Sequence, residues 1–227
     1  MSQRPDLHVV DDPVVPVAEL IAEQAGRGGS IVLTGGASVG DAYEHAARLE
    51  PDWGQVTLWW GDERCVPPDD ERSNYRLAQE TLLDRLEVLP AAVHRMRGEL
   101  DPAAAADEYD AALAGVDLQL LLLGLGSDAH MASLFAGSRQ LEVVDRRATW
   151  GPAGLEPFVD RVTLTLPAIH SAQRIVFLVT GEGKAEAVAR AFGGEISADV
   201  PASLARLAPV PVEVFLDAAA ASTLEGR

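Results

Sequence analysis

Apolar residues gather along this chain in short, nearly unbroken runs, and each run gives way to glycine or a charged residue. Five runs read as strands: SIVLTGG at 30–36, VTLWWGDE at 56–63, VDLQLLLLG at 116–124, RIVFLVTG at 174–181 and VEVFLDA at 212–218. A run without polar alternation is expected of a parallel strand covered on both faces. LHVVDD at 7–12 is a weaker candidate. RVTLTL at 161–166 alternates, which predicts an antiparallel or edge position.

Between the runs the pattern turns helical, at 15–27, 38–50, 73–86, 101–113 and 183–192. Ser38 is the expected N-cap of the second of these. Asp101 caps the fourth, with Pro102 at its first position. Leu77, Leu82, Leu83 and Leu86 make one face of the third. The alanine clusters at 103–106 and 218–221 also read as helical. Strand alternates with helix, which predicts an α/β fold: a doubly wound, mostly parallel, Rossmann-like sheet with helices on both faces. No linker or low-complexity segment divides the chain, so a single domain over 1–227 is expected. Ligands of such sheets bind beyond the C-terminal ends of the strands. Here those ends are TGGAS, GDER, GLGSDAH and TGEGK, all polar or glycine-rich.

Charge narrows the ligand. Lys and Arg number 18 against 35 Asp and Glu, a net charge of −17, and no stretch clusters basic residues. Nucleic acid and anionic membranes are therefore not expected partners. The longest apolar stretch, LQLLLLGLG, is too short to span a bilayer, and the N-terminus lacks a secretory pattern. The one cysteine, Cys65, excludes an intrachain disulfide and fits a reducing compartment, so a cytoplasmic location is expected. A monomer or small homo-oligomer is the expected assembly.

Each loop carries chemistry beside a plainer structural reading. In LTGGASVG, Gly35 and Gly36 can present consecutive N–H groups to an anion at a helix start, or form a simple strand-to-helix turn. In WWGDER, Arg64 can hold a phosphate bidentately with a carboxylate to orient it, or close an ion-paired strand exit. In GLGSDAHMASLF, Asp128 and His130 stand at a strand end. His130 can exchange a proton near neutral pH, Asp128 can fix its tautomer, and MASLF is expected to begin a helix whose free N–H groups meet developing charge. The plainer reading is a capping Asp beside an uninvolved His. Lys184 adds a cation at the same rim, or is a surface lysine.

The other histidines, His8, His45, His94 and His170, show no metal-ligand spacing. H-E-x-x-H, C-x-x-C and G-x-S-x-G are absent, so zinc, dithiol and elbow-serine enzymes lose support. No metal and no cofactor are expected.

Taken in order, LTGGAS, WGDERCVPPDDERSNY, GLGSDAHMASLFAG, RVTLTLPAIHSAQ, GEGKAEAV and VEVFLDAAA resemble the 6-phosphogluconolactonase family over nearly the whole chain. The family is similar in fold to the glucosamine-6-phosphate deaminases. Those tend toward Phe-Asn-Glu after the histidine and Asp-Glu-Tyr at the second loop, where this chain has Ser133-Leu134-Phe135 and DER. The resemblance implies hydrolysis of 6-phospho-D-glucono-1,5-lactone, with His130 activating water and Asp128 positioning it. It implies a phosphate held on Gly35, Gly36, Ala37 and Ser38, clamped by Arg64 and Lys184, with Arg161 a further candidate. The chain departs from the family pattern at Ala129, where glycine is usual, at Met131 for threonine, at Ala37-Ser38-Val39 for Ser-Thr-Pro, and at His170 for asparagine. A deaminase-like sugar-phosphate enzyme and a non-catalytic sugar-phosphate binder are the alternatives.

Overall fold

The computed structural model describes residues 4–224. Seven strands form a wholly parallel sheet in the order β1-β10-β9-β6-β2-β3-β5: β1 (Asp6–Val9), β2 (Gly29–Leu33), β3 (Val56–Trp60), β5 (Ala92–Val93), β6 (Leu120–Leu123), β9 (Ile175–Val179) and β10 (Val212–Leu216). Three more strands, β4 (Asp62–Arg64), β8 (Arg161–Leu164) and β7 (Ala148–Gly151), form a small antiparallel sheet. Each of the five apolar runs supplies a strand of the large sheet. The alternating RVTLTL run is antiparallel, in the small one.

The continuous apolar runs reflect two cores, one on each face of the large sheet. Ile31, Leu33, Leu120, Leu122, Val176 and Leu178 point to one side, where they pack with Ile21 of α1 (Val14–Arg27) and with Tyr43 and Ala46 of α2 (Ala37–Leu49). Their neighbours Val32, Leu121, Leu123, Phe177 and Val179 point to the other. They meet Tyr109 of α4 (Pro102–Ala112), Ile169 of α5 (Leu166–His170), Val188 of α6 (Ala185–Val188) and Val162 and Leu164 of the small sheet. A strand with apolar partners on both sides has no use for polar alternation.

Several boundaries differ from the sequence pattern. The run at 56–63 is two strands, because the chain bends at Gly61. Gly61 N–H donates to Leu33 O, while its carbonyl accepts from Leu164 N, handing the chain from one sheet to the other. The expected helix at 73–86 is α3 (Asn74–Thr81) with Ser73 as N-cap, followed by a 3-10 turn over Leu83–Arg85. The 183–192 helix is the four-residue α6 between a 3-10 turn and a π turn. Residues 218–221 form turns, with Ala220 N and Gly181 N both bound to the Asp217 carboxylate. MASLF is a tight turn as well, since Ala132 takes φ 47° and Met131 pairs with Leu134. Among the described residues no helix is long and apolar enough to cross a membrane.

Strand order places the ligand site. From β2 the chain proceeds outward through β3 to β5, then returns to lay β6 on the other side of β2 and proceeds outward through β9 to β10. The order reverses between β2 and β6. There the loops beyond their C-terminal ends part, leaving a crevice. Two buried tyrosines satisfy backbone groups at the C-terminal ends of β2 and β3. Tyr43 OH bonds Thr34 N and O, and Tyr109 OH bonds Trp60 N and O.

Candidate active site

A cleft of about 350 Å3 opens at this switch point. It is lined by all four loops singled out above, through Gly35, Gly36, Ala37 and Ser38, through Asp62 and Arg64, through Gly126 and His130, and through Thr180 and Lys184. Residues far apart in the chain thus share one cleft because their strands are neighbours.

The glycine turn is shaped by what it touches. Gly36 is the N-cap of α2 at φ 126°, a backbone open to glycine and unfavourable for other residues, so Ser38 lies inside the first turn and not at the cap. Its hydroxyl instead shares a 2.6 Å hydrogen bond with Thr180 Oγ1 from the end of β9. A Cβ at Gly35 would lie 2.0 Å from Asn74 Oδ1, so glycine is required there by close approach.

Arg64 reaches the cleft from β4. Its Nη1 donates to Arg72 O at 2.6 Å and Asn74 Oδ1 at 2.7 Å, while its buried Nε has no partner among the described residues. Arg161 sits opposite Arg64 in the β4–β8 register, 4% exposed, with Nη2 on Pro157 O and Nη1 unpartnered. Burial, and then the charge of Arg64, pull its guanidinium below the usual arginine range. It stands behind Arg64 and is not among the cleft-lining residues, so of the expected clamp it is the member outside the wall.

The adjoining Glu63 is 2% exposed and points away from the cleft. Its oxygens accept from Arg64 N, Asn74 N, Tyr75 N and Ser73 Oγ at 2.7–2.9 Å, binding the start of α3 to β4. Burial raises its carboxyl group, and these donors oppose the rise. Cys65 is a half-buried filler of the core, its thiol pushed up to about 11 by burial.

On the other wall, His130 Nδ1 lies 2.6 Å from Asp128 Oδ1, which also accepts the His130 N–H at 3.2 Å. Residues two apart cannot face each other in a helix. They do so here because the segment is a turn, closed by Ala129 N to Gly126 O and Gly126 N to His130 O. Ala129 occupies φ 69°, the region glycine would take. The ring also packs on Phe135, centroids 4.5 Å apart. Burial pushes the Asp128 carboxyl up, but the His130 contacts outweigh it and leave it below the usual range. The expected helix dipole behind His130 is absent, since no helix follows. Lys184 ends the 3-10 turn Glu182–Lys184, half-buried, and burial lowers its ammonium against the opposing charge of Asp128.

Sequence reasoning missed Asn74 and Ser133. Both are buried and bonded to Asp62. Each stood inside a quoted segment, yet no spacing rule links residues 12 and 71 positions from their partner. Among the described residues no group of His, Cys, Asp or Glu converges to hold a metal ion.

Known proteins resemble this chain in sequence and in fold. The family described as glucosamine-6-phosphate isomerases/6-phosphogluconolactonase matches residues 10–212. The chain is 36% identical to the 6-phosphogluconolactonase of Streptomyces coelicolor, over 92% of its length and 87% of the relative's. It is 37% identical to that of Mycobacterium tuberculosis, over 82% of each. The solved 6-phosphogluconolactonase of Trypanosoma brucei superposes with a TM-score of 0.83 at 26% identity, covering 98% of this chain and all of that one. A monomeric glucosamine-6-phosphate deaminase superposes at 0.85 but is only 21% identical, a likeness of fold. With the switch-point cleft, the D-x-H turn and relatives spanning most of both chains, the chain belongs to the 6-phosphogluconolactonase family, within the glucosamine-6-phosphate isomerase/6-phosphogluconolactonase group.

Proposed function

We propose that the chain hydrolyses 6-phospho-D-glucono-1,5-lactone to 6-phosphogluconate, the second step of the oxidative pentose phosphate pathway, by general-base activation of water. The observation that carries this reading is the 2.6 Å Asp128–His130 pair on the wall of the cleft that also holds the glycine turn, Arg64 and Lys184. The names of the relatives support the substrate.

A lactone is an ester, so its hydrolysis needs a water aimed at the carbonyl and a base for the water's proton. With Nδ1–H held by Asp128, the His130 lone pair is on Nε2, and Nε2 takes that proton as the oxygen attacks. Asp128 then faces an imidazolium and stabilises it. When the tetrahedral intermediate collapses, the C–O bond to the ring oxygen breaks and the imidazolium returns the proton to that oxygen, giving the open acid. The scheme needs no metal.

The phosphate takes no part in bond breaking. It rests on Gly35, Gly36, Ala37 and Ser38, where backbone N–H groups at the α2 start favour a dianion, with Arg64 and Lys184 as cations and Arg161 reinforcing from behind. These contacts fix the ring against His130. Ala129 already adopts the glycine-like backbone, which supports a working turn over the non-catalytic alternative. A phosphorylated sugar as substrate fits a cytoplasmic location.

The test follows loss of the lactone in chelated buffer, with spontaneous opening subtracted and glucosamine 6-phosphate run alongside for ammonia release. His130→Ala is expected to lower kcat by about 10²–10⁴-fold, the usual reach of a general base. Arg64→Ala is expected chiefly to raise KM. Wild-type turnover by His130→Ala would remove the base assignment, and ammonia release without lactone loss would favour the deaminase.

A further inference from the structure

A path of buried hydrogen bonds joins the two walls of the cleft, and no step above uses it. Arg64 Nη1 donates to Asn74 Oδ1 at 2.7 Å. The Asn74 amide nitrogen donates to Asp62 O at 2.9 Å and to Asp62 Oδ1 at 3.2 Å. Asp62 Oδ2 accepts from Ser133 Oγ at 2.6 Å, and Ser133 lies three residues beyond His130, in the tight turn that directly follows it. Asn74, Asp62 and Ser133 are 2%, 8% and 1% exposed, so water does not readily replace any link.

Asn74 is the hub. Its amide touches the Arg64 cation, the Asp62 carboxylate and, by close approach, the glycine turn at Gly35. The two ends of an amide differ, so Asn74 cannot reverse without setting a donor against Arg64 and an acceptor against Asp62. Arg64 is meanwhile incomplete, since its buried Nε lacks an acceptor. An anion on the turn would draw the guanidinium, and the rigid amide would carry that displacement to Asp62 and on to Ser133.

We propose that Asn74 is a positioning residue through which a phosphodianion at Arg64 and the glycine turn sets the loop that carries His130, so that a free dianion activates hydrolysis of a lactone lacking the phosphate. The proposal rests on the lactonase reading and extends it: binding of the remote group is expressed in the reacting half of the site.

The experiment first establishes turnover of the phosphorylated lactone. It then uses 1,5-gluconolactone as substrate and phosphite as the dianion, at constant ionic strength. Phosphite is expected to raise the wild-type kcat/KM saturably by about 5- to 150-fold, the usual span of coupling between two sites. Ser133→Ala cuts the path at its far end without touching Arg64 or the glycine turn at Gly35 and Gly36. It is expected to keep the calorimetric Kd for inorganic phosphate and to lose the activation. Asn74→Ala is expected to lose activation as well. A merely structural role would lower Tm while leaving the activation ratio unchanged, and that result overturns the proposal. So does a wild type unmoved by phosphite, with the lactonase reading left standing. Failure to turn over the phosphorylated lactone would remove the lactonase reading first, and this inference with it.

Discussion

The absence of a side chain at Gly126 is what lets His130 and Asp128 meet. A Cβ there would stand 2.0 Å from His130 Nδ1 and 2.5 Å from Asp128 Oδ1. The obstacle is side-chain space, as Gly126 is not among the positive-φ residues. Gly126→Ala is therefore expected to keep the fold, seen as a nearly unchanged Tm, while pushing the imidazole off its carboxylate. A displacement of that kind costs on the order of 10²-fold in kcat. Ala129 shows the opposite case. Its methyl sits in a left-handed backbone that costs about 1–2 kcal/mol for an L-residue. The position is kept by the turn and by Ala202 N donating to Ala129 O at 2.9 Å.

At the scale of elements, the site depends on how α3 is fastened. Glu63 gathers four donors from β4 and the first turn of α3. Glu63→Gln sets an amide N–H₂ against donors and leaves some of them unsatisfied, at about 1–3 kcal/mol for each buried group. Urea unfolding is expected to show that loss as a lower midpoint. Farther along, the segment between β5 and α4 is held by Arg95 on Glu99, at 2.8 and 2.7 Å. The hydrogen bond from Arg95 leads in drawing the Glu99 carboxyl from 4.5 down to about 2. The folded value lies below the unfolded one, so this stability is full above the unfolded value and is lost as pH falls through the folded one. Tm is expected to fall between about pH 5 and 2, and Glu99→Gln to flatten part of that slope. The pair is about a quarter exposed, which keeps the effect small.

For the whole molecule, the charge of −17 opposes approach of a phosphate dianion that Arg64 and Lys184 attract locally. Salt screens the distant charges over about 8–10 Å and affects short contacts much less. Raising potassium chloride from near zero to physiological strength is expected to increase kcat/KM for the phosphorylated lactone. A monotonic fall would mean that the local cations dominate the encounter.

Strand identity, the alternation with helices and the four loops at strand ends were legible in the amino-acid sequence, because double burial writes itself as unbroken apolar runs and turns demand glycine. Asp128 and His130 were legible for the same reason: they lie two residues apart in the chain and stand where a strand stops. The helix expected after His130 was not formed, since MASLF spends its apolar residues plugging the core from a turn, and hydrophobicity alone does not distinguish the two. Gly61 looked like the interior of one strand because the pattern does not record a change of sheet. Only the tertiary structure decided that Arg161 stands behind Arg64, that Ser38 meets Thr180 and that Asn74 links the two walls. Those contacts depend on which strands become neighbours, and strand order is settled by packing of the whole sheet, to which no local spacing of residues is sensitive.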